Sequence, residues 1–174
     1  MFLKRVSMAV RQSLFIIIAL SILFFVLRNE IVGLILGTGR FSVQDARLTA
    51  AALGFFSFGI FASSLRLLFT RAFFAFHNTK TPVFINIFSA FINIILAFVF
   101  VWFFKNYTAI SPILGLPLAV SIASIINFFW HWVDLKKHVG DFGISEIKKS
   151  FAKILAASAV AAVVAYSGLS IFSA

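Results

Sequence analysis

Long apolar runs separated by short polar segments dominate the sequence. A helix needs about 20 mostly apolar residues to cross the hydrocarbon core of a bilayer. The segments that meet this requirement are 8–27, 48–69, 83–104, 113–133 and 154–172. The third segment carries no charge, whereas Arg11 and Gln12 interrupt the start of the first. The pattern therefore predicts an all-α integral membrane protein with about five transmembrane helices, in a single membrane region covering residues 1–174.

The first run has a second interpretation as a signal peptide, because Lys4 and Arg5 precede its apolar stretch. No small-residue cleavage pattern follows, and the next residues are Arg28-Asn29-Glu30. We therefore expect the run to be retained as a span.

Two of the connectors show helical spacing of apolar residues. In Glu30–Leu36 this spacing ends at Gly37, which indicates a short helix on the membrane surface. In Gly143–Phe151 an apolar face opposes a basic one, which predicts an amphipathic approach to the fifth run.

A polar, basic turn, His77-Asn78-Thr79-Lys80-Thr81, joins the second and third runs, and Pro82 follows it. In the first turn of a helix, the missing N–H of proline costs no hydrogen bond and its fixed φ suits the helix. The segment therefore predicts a short connector between two antiparallel spans.

Composition supports the membrane class and excludes several others. Hydrophobic residues make up 62% of the chain, charged residues 11%, and the mean hydropathy is +1.09, all outside the range of soluble domains. The chain has no cysteine, which excludes a disulfide framework and a thiol nucleophile. No catalytic or metal-binding motif is present, so we predict no enzyme activity, no metal site and no cofactor.

The net charge of +10 raises the question of nucleic acid. The cations lie between the apolar runs rather than along one exposed face, a distribution typical of membrane proteins that meet anionic headgroups. Membrane lipids are therefore the expected partners, and nucleic acid is not.

The distribution of Lys and Arg also predicts an orientation. If the chain crosses five times, one side receives Lys4, Arg5, Arg11, Arg71, Lys80, Lys136, Lys137, Lys148, Lys149 and Lys153. The opposite side receives fewer: Arg28, Arg40, Arg47 and Lys105, partly offset by Glu30 and Asp45. Since cytoplasmic connectors carry the excess of Lys and Arg, we expect the N-terminus of this chain inside and its C-terminus outside.

Polar side chains within the runs mark faces that turn away from lipid. The stripes consist of Asn86, Ser89 and Asn93 on the third run, and of Ser121, Ser124 and Asn127 on the fourth. Hydrogen bonding between helices is the simplest interpretation of these residues, and substrate contact is the alternative.

Two titratable side chains lie near the inner ends of the runs. Arg66 is about one turn from the cytoplasmic end of the second, so it could extend to the headgroups. It could equally face a water-filled cavity that holds an anionic substrate, and the sequence does not separate the two. We interpret His131, between Trp130 and Trp132, as part of an interfacial aromatic belt.

Three segments, in this order and spacing, resemble the MurJ/MviN family of lipid II flippases: GTGRFSVQDARLTAAAL (37–53), RAFFAFHNTKTPVFINIFSAFINIIL (71–96) and GLPLAVSIASIINF (115–128). The specific elements are a G-x-F-x-x-x-D turn, an R-x-F-[FY]-A block and a [DN]-T-[KR]-T-P turn followed by Asn. Here they are Gly39-Arg40-Phe41 with Asp45, Arg71–Ala75, and Asn78–Pro82 with Asn86 or Asn93. The family commonly has Tyr at position 74 and Asp at position 78, so each departure removes a polar or charged contact.

The resemblance implies part of the C-terminal lobe of a MATE-like transporter fold, with the five runs similar to the ninth to thirteenth of fourteen helices. It implies a flippase that translocates undecaprenyl-linked peptidoglycan precursor, lipid II, across the bacterial cytoplasmic membrane for cell-wall synthesis. The partners it implies are lipid II and the remainder of the transporter. Segment 154–172 would form one wall of a groove for the polyprenyl tail.

The resemblance also directs attention to particular residues. Candidate cavity or substrate contacts are Arg66, Arg71, Asn86 and Asn93, and the implied cytoplasmic hinge is Asn78, Thr79, Lys80, Thr81 and Pro82. Our hypothesis is that Arg66 and Arg71 add positive potential near the inner mouth of the cavity.

Several alternatives stay open. The nearest is a flippase of the same superfamily for a polysaccharide-lipid of the O-antigen type. A drug or cation antiporter is disfavoured, because no carboxylate lies within the runs to couple an ion. From a different class, the chain could be a small, complete scaffold of a cell-wall complex instead of a C-terminal fragment. A membrane transferase would need acidic or histidine clusters that the sequence lacks.

Overall fold

The computed structural model describes residues 2–37, 42–139 and 144–172, with side chains mainly in 12–37, 42–138 and 150–164. The described residues form helices without any strand. The helices are α1 (Phe2–Val26), α2 (Arg28–Leu36), α3 (Val43–Ala75), α4 (Lys80–Tyr107), a 3-10 turn (Pro112–Leu114), α5 (Gly115–Val139) and α6 (Ile144–Phe172). The all-α prediction is confirmed.

The order of the helices in space differs from their order in the chain. Helix α3 packs against α5, α1 and α2, helix α4 packs against α5, and α6 packs against α1. Although α3 and α4 are consecutive, they touch each other little, because α5 lies between them along most of their length. A cleft between α3 and α4, floored by α5, is the result.

Three of the predicted spans are confirmed as helices long and apolar enough to cross a membrane. They are Val43–Ala75, Lys80–Tyr107 and Pro112–His138. The first predicted span lies in α1, whose segment Gln12–Val26 is followed by α2 at an angle of 72°, and the bent pair qualifies together as one span. The fifth lies in α6, where the apolar stretch described in full, Ser150–Val164, is shorter than a span. The count of five therefore stays a prediction, with three or four spans in the described part.

The two connectors with predicted amphipathic helices have different outcomes. The helix predicted at Glu30–Leu36 is α2, and it ends where the Gly37 N–H donates to the Gly33 carbonyl (2.9 Å). Its place on a membrane surface stays a prediction. Segment 143–151 falls largely in the first turns of α6, where side chains before Ser150 lie outside the described residues.

Asp45 of the G-x-F-x-x-x-D motif caps helix α3. The Ser42 Oγ accepts a hydrogen bond from the Asp45 N–H (3.1 Å), and Asp45 Oδ2 accepts one from the Ser42 N–H (3.3 Å). This reciprocal capping box satisfies two backbone donors that the first turn of a helix would leave unpaired. Gly39, Arg40 and Phe41 of the motif lie outside the described residues.

The connector between α3 and α4 is stabilised at both ends. The Asn78 N–H donates to the Phe73 carbonyl and the His77 N–H to the Phe74 carbonyl, both at 3.0 Å. These two bonds form a Schellman motif, in which His77 takes the left-handed conformation (φ 57°) that glycine usually adopts. The Asn78 Oδ1 then accepts from the Thr81 N–H (3.2 Å) and caps α4.

Pro82 is the third residue of α4 and is buried. In the first turn a backbone N–H would have no partner within the helix, so proline costs nothing there. The predicted tight, antiparallel connection is confirmed.

One end of the bundle collects the predicted inner connectors. The rings of Phe73 and His138 lie 6.0 Å apart, so the ends of α3 and α5 meet. Lys80 lines a cavity with His138, and Met8 of α1 lines another with Lys153 of α6. The described cations at this end are Arg71, Lys80, Lys136, Lys137 and Lys153. We call it the basic end.

Candidate functional site

Three helices meet at a polar contact inside the bundle. The Arg66 Nη1 on α3 donates to the Asn86 Oδ1 on α4 (3.1 Å), and the Asn127 Nδ2 on α5 donates to the same oxygen (3.1 Å). We call Arg66, Asn86 and Asn127 the polar node. It bridges α3 and α4, which otherwise make little contact, and ties both to α5.

The donor and acceptor roles in the node follow from the chemistry of arginine. A guanidinium only donates hydrogen bonds, so the Asn86 atom that faces it must be the amide oxygen. The second group on that oxygen must then be the amide nitrogen of Asn127. Arg66 therefore fixes the orientation of both asparagines, and the Asn127 Oδ1 points away from the node.

A cavity of about 260 Å³ opens beside the node. Its lining residues are Arg66, Asn86, Ser89, Ala90, Asn93, Val120, Ala123, Ser124 and Asn127. The polar stripes predicted on the third and fourth runs therefore converge on one cavity, except that Ser121 instead donates to the Phe55 carbonyl of α3 (2.7 Å).

Several buried polar atoms of this cavity have no hydrogen-bond partner among the residues that the structure describes. They are the Ser89 Oγ, the Asn93 Oδ1 and the Asn127 Oδ1. Ser89 is only 6% exposed and Asn127 only 5%. Unpaired polar groups at such depth are costly, so we expect water, a ligand or another part of the transporter to hydrogen-bond with them.

Arg66, Asn86 and Asn93, predicted as cavity residues, all line this cavity. The fourth candidate, Arg71, does not; it is exposed on α3 near the basic end. The hinge residues Asn78–Pro82 also lie at that end, away from the cavity. Whether any of them contacts a substrate stays a prediction.

Sequence reasoning placed His131 wrongly and underrated Asn127. His131 is completely buried rather than part of a surface belt, because it packs edge-on against Phe73 and its Nδ1 lies 3.0 Å from the Asn127 carbonyl. Asn127 was only one member of a stripe in the sequence. Asn127 lies one helical turn before His131, so both residues share the face of α5 that α3 covers. This spacing is the sequence signal that would have placed both residues near Arg66.

Among the described residues, no group of three or more His, Cys, Asp or Glu side chains could hold a metal ion. The described residues of the cavity lining supply one guanidinium, hydroxyls, amides and small apolar side chains, and none of these residues is acidic. Such a surface suits the binding of a polar or anionic group rather than acid–base chemistry.

Comparison with known proteins gives the family. A sequence profile for the lipid II flippase MurJ matches residues 1–174, the whole chain. The chain belongs to the MurJ lipid II flippase family. It is therefore a multi-pass membrane protein, and the all-helical architecture agrees with that assignment.

Individual MurJ proteins support the assignment. The chain is 29% identical over 126 residues to the probable lipid II flippase MurJ of Buchnera aphidicola subsp. Baizongia pistaciae, covering 72% of this chain and 23% of the relative. It is 28% identical over 151 residues to that of Thermotoga maritima, covering 87% of this chain and 29% of the relative.

A solved structure of the lipid II flippase MurJ in an inward closed conformation superposes on this chain. The TM-score is 0.78 at 27% identity, over 92% of this chain and 32% of the MurJ structure. The chain thus spans about a quarter to a third of the length of the MurJ proteins it matches.

Proposed function

We propose that this chain forms part of a lipid II flippase, which moves the lipid-linked peptidoglycan precursor across the bacterial cytoplasmic membrane. The observation that carries the proposal is the match of the MurJ profile to the entire chain, supported by a superposed MurJ structure. The cavity beside the polar node fits this role, because a transporter for a charged headgroup needs polar surface within the membrane.

We propose that the basic end faces the cytoplasm. Two of the three predicted inner connectors contribute its described cations, and an excess of Lys and Arg is typical of cytoplasmic connectors. In this orientation the turn Asn78–Pro82 is a cytoplasmic hinge. The segment would belong to the C-terminal lobe, with 154–172 as one wall of a groove for the lipid tail.

Arg66 and Arg71 play different parts in this proposal. Arg66 supplies positive potential inside the membrane. There its attraction for an anion is stronger than in water, because the surroundings screen the charges less. Arg71 lies exposed on the same helix and adds to the basic surface at the inner mouth. The two charges thus act on the headgroup at successive depths.

Complementation of a flippase-depleted strain tests the proposal. The full reading frame that contains residues 1–174 should restore growth and lipid II export. Arg66→Ala should reduce export by about tenfold or more, the effect of losing roughly 1.4 kcal/mol or more of a charged contact. The matched control is Arg47→Ala, which removes an exposed arginine at the opposite end and should export normally.

Two outcomes would contradict the proposal. Failure of the unaltered reading frame to support lipid II export, with the protein in the membrane, would reject the flippase assignment. Restored export of an O-antigen-type lipid in a strain lacking that flippase, without lipid II export, would favour the other member of the superfamily. Normal export by Arg66→Ala would reject only the role given to Arg66.

A further inference from the structure

Asp134 on α5 is a carboxylate without a hydrogen-bond donor in the part of the chain that the structure describes. Its Oδ2 is buried and unpaired, and the nearest described basic nitrogen, the His138 Nδ1, lies 3.7 Å away. That nitrogen is 2.9 Å from the Asp134 carbonyl, which can only accept, so its proton is directed to the backbone instead. A buried carboxylate oxygen with no donor is unfavourable, so we expect a further group to occupy the space in front of it.

Asp134 lines a cavity of about 420 Å³ at the basic end, within the range of about 300–1,000 Å³ that is typical of ligand pockets. Lys80, at the start of α4, lines the same cavity, and these two described residues form no ion pair with each other. Thr81 lines it as well. The Thr81 Oγ1 accepts from the Asn78 Nδ2 (2.9 Å), which leaves the hydroxyl proton to donate to a ligand. Donors and a negative charge thus share one space.

The charged groups lie where both helices change from polar to apolar sequence. On α4 the apolar run begins at Val83, just after Lys80, and on α5 the apolar run ends at Val133, just before Asp134. In a helix that crosses a membrane, such a boundary lies at the level of the lipid headgroups. The cavity is therefore placed where a headgroup would meet it.

Aromatic rings continue the cavity toward the apolar surface of the bundle. Phe84 and Trp130 line it, and Phe88, one turn further along α4, packs edge-on against Trp130 with ring centroids 5.2 Å apart. Phe84 is 64% exposed and Phe88 47%, so neither ring is covered by the described part of the bundle. Tryptophan is enriched at the level of the headgroups. The rings offer a surface for lipid chains directly beside the charged groups.

We propose that this cavity binds an aminophospholipid, a lipid whose headgroup carries a primary ammonium and a phosphodiester, as in phosphatidylethanolamine. The ammonium donates to the Asp134 Oδ2, and the phosphate accepts from Lys80 and Thr81. The phosphate also lies at the N-terminus of α4, where the first-turn N–H groups favour an anion. The acyl chains run along Phe84 and Trp130. This inference goes beyond the flippase role and needs only that α4 and α5 cross a membrane.

The two signs of charge select this lipid among the possible occupants. A choline headgroup has no N–H to donate to Asp134, and a glycerol headgroup has no cation to pair with it. A basic peptide from another part of the transporter would match Asp134 but would be repelled by Lys80. A zwitterion with N–H donors matches both residues at once.

Photolabelling locates the lipid directly. The full reading frame is purified in nanodiscs of phosphatidylcholine that contain a trace of a probe lipid with a diazirine on its acyl chain, and mass spectrometry identifies the labelled peptides. We expect the phosphatidylethanolamine probe to label the region of Phe84 and Trp130 severalfold more than the phosphatidylcholine probe. Labelling should fall stepwise as methyl groups replace the N–H donors of the headgroup. These comparisons use the unaltered protein, so they do not depend on the folding of a variant.

Two substitutions test the assigned partners. Asp134→Asn keeps the size of the side chain and should lower labelling by the phosphatidylethanolamine probe to that of the phosphatidylcholine probe. Lys80→Gln should lower labelling by both probes and keep their ratio, because both carry a phosphate. The matched controls are Glu30→Gln and Lys136→Gln, which remove the same charges from exposed positions outside the cavity and should leave labelling unchanged.

The possible results separate this site from the transporter proposal. Equal labelling of the cavity by the two probes in the unaltered protein, or a preference that survives Asp134→Asn, would overturn the site. Absence of label from both probes would also overturn it and would indicate that Lys80 or another part of the transporter covers Asp134. Each of these results leaves the flippase assignment in place, because that assignment is tested by lipid II export.

Discussion

Gly59 of α3 lies against Ser121 of α5 so closely that no side chain fits between them. A Cβ at Gly59 would be 2.8 Å from the Cα and 2.8 Å from the Oγ of Ser121. That hydroxyl also donates to the Phe55 carbonyl one turn earlier on α3 (2.7 Å). Small residues that allow such an approach, joined by a hydrogen bond across the helices, are typical of helix contacts in membranes.

Gly59→Ala should separate α3 from α5. The Cβ would meet the backbone of Ser121, which cannot move aside as a flexible side chain would, so we expect a loss of about 1–3 kcal/mol in the free energy of unfolding. Thermal unfolding of the full protein in detergent measures it. The matched control is Gly33→Ala in α2, where nothing lies within 4 Å of the added atom. An unchanged midpoint for Gly59→Ala would contradict the close approach.

The sequence carried enough information to find the helices but not their arrangement. Runs of apolar residues predicted α3, α4 and α5 because length and hydropathy are local properties. The close contact between α3 and α5 involves Gly59 and Ser121, which are far apart in the chain and are common residue types. The 72° bend between α1 and α2 was likewise not predictable from the sequence, because no proline lies near it.

The candidate site was predictable to a similar degree. The stripes identified Asn86 and Asn93 as facing away from lipid, and the structure places them with Arg66 around one cavity. Arg66 had two interpretations from the sequence, since a long side chain reaches either water or the interior. The structure decides between these two interpretations through Asn86 and Asn127, whose amides meet only when the three helices pack together.

The hydrogen bond between Arg66 and Asn86 should show energetic coupling. Asn86→Ala leaves a guanidinium without its described partner, whereas the same change in an Arg66→Leu background does not. We expect the two stability losses to differ by about 0.5–3 kcal/mol, the range for residues in one hydrogen-bond network. A double-mutant cycle of unfolding in detergent measures the difference. Additive losses would mean that the two side chains act independently.

His77→Gly should stabilise the connector between α3 and α4. His77 has a positive φ of 57°, and a residue with a Cβ pays about 1–2 kcal/mol in that region, which glycine avoids. Part of the gain is offset because glycine loses more entropy on folding. We therefore expect a rise in stability of up to about 1 kcal/mol, measured by unfolding in detergent.

His77→Val provides the contrast for that prediction. A β-branched side chain tolerates a positive φ poorly, so this variant should unfold more readily than the unaltered protein. If the valine variant were as stable as the glycine variant, the left-handed conformation of residue 77 would be refuted.

The proposed orientation predicts which thiols an external reagent can reach. Helix α4 has 28 residues and is about 42 Å long at 1.5 Å per residue, so the proposed orientation puts Tyr107 and the basic end on opposite membrane faces. Tyr107 and Lys137 are both exposed. In intact cells, an impermeant maleimide should label Tyr107→Cys in the full reading frame, freed of any other cysteine, and should leave Lys137→Cys unlabelled until the membrane is permeabilised. The reverse pattern would place the lysine-rich connectors outside. It would also contradict the assignment of the hinge to the cytoplasm, which rests on the positions of the cations and on the family resemblance.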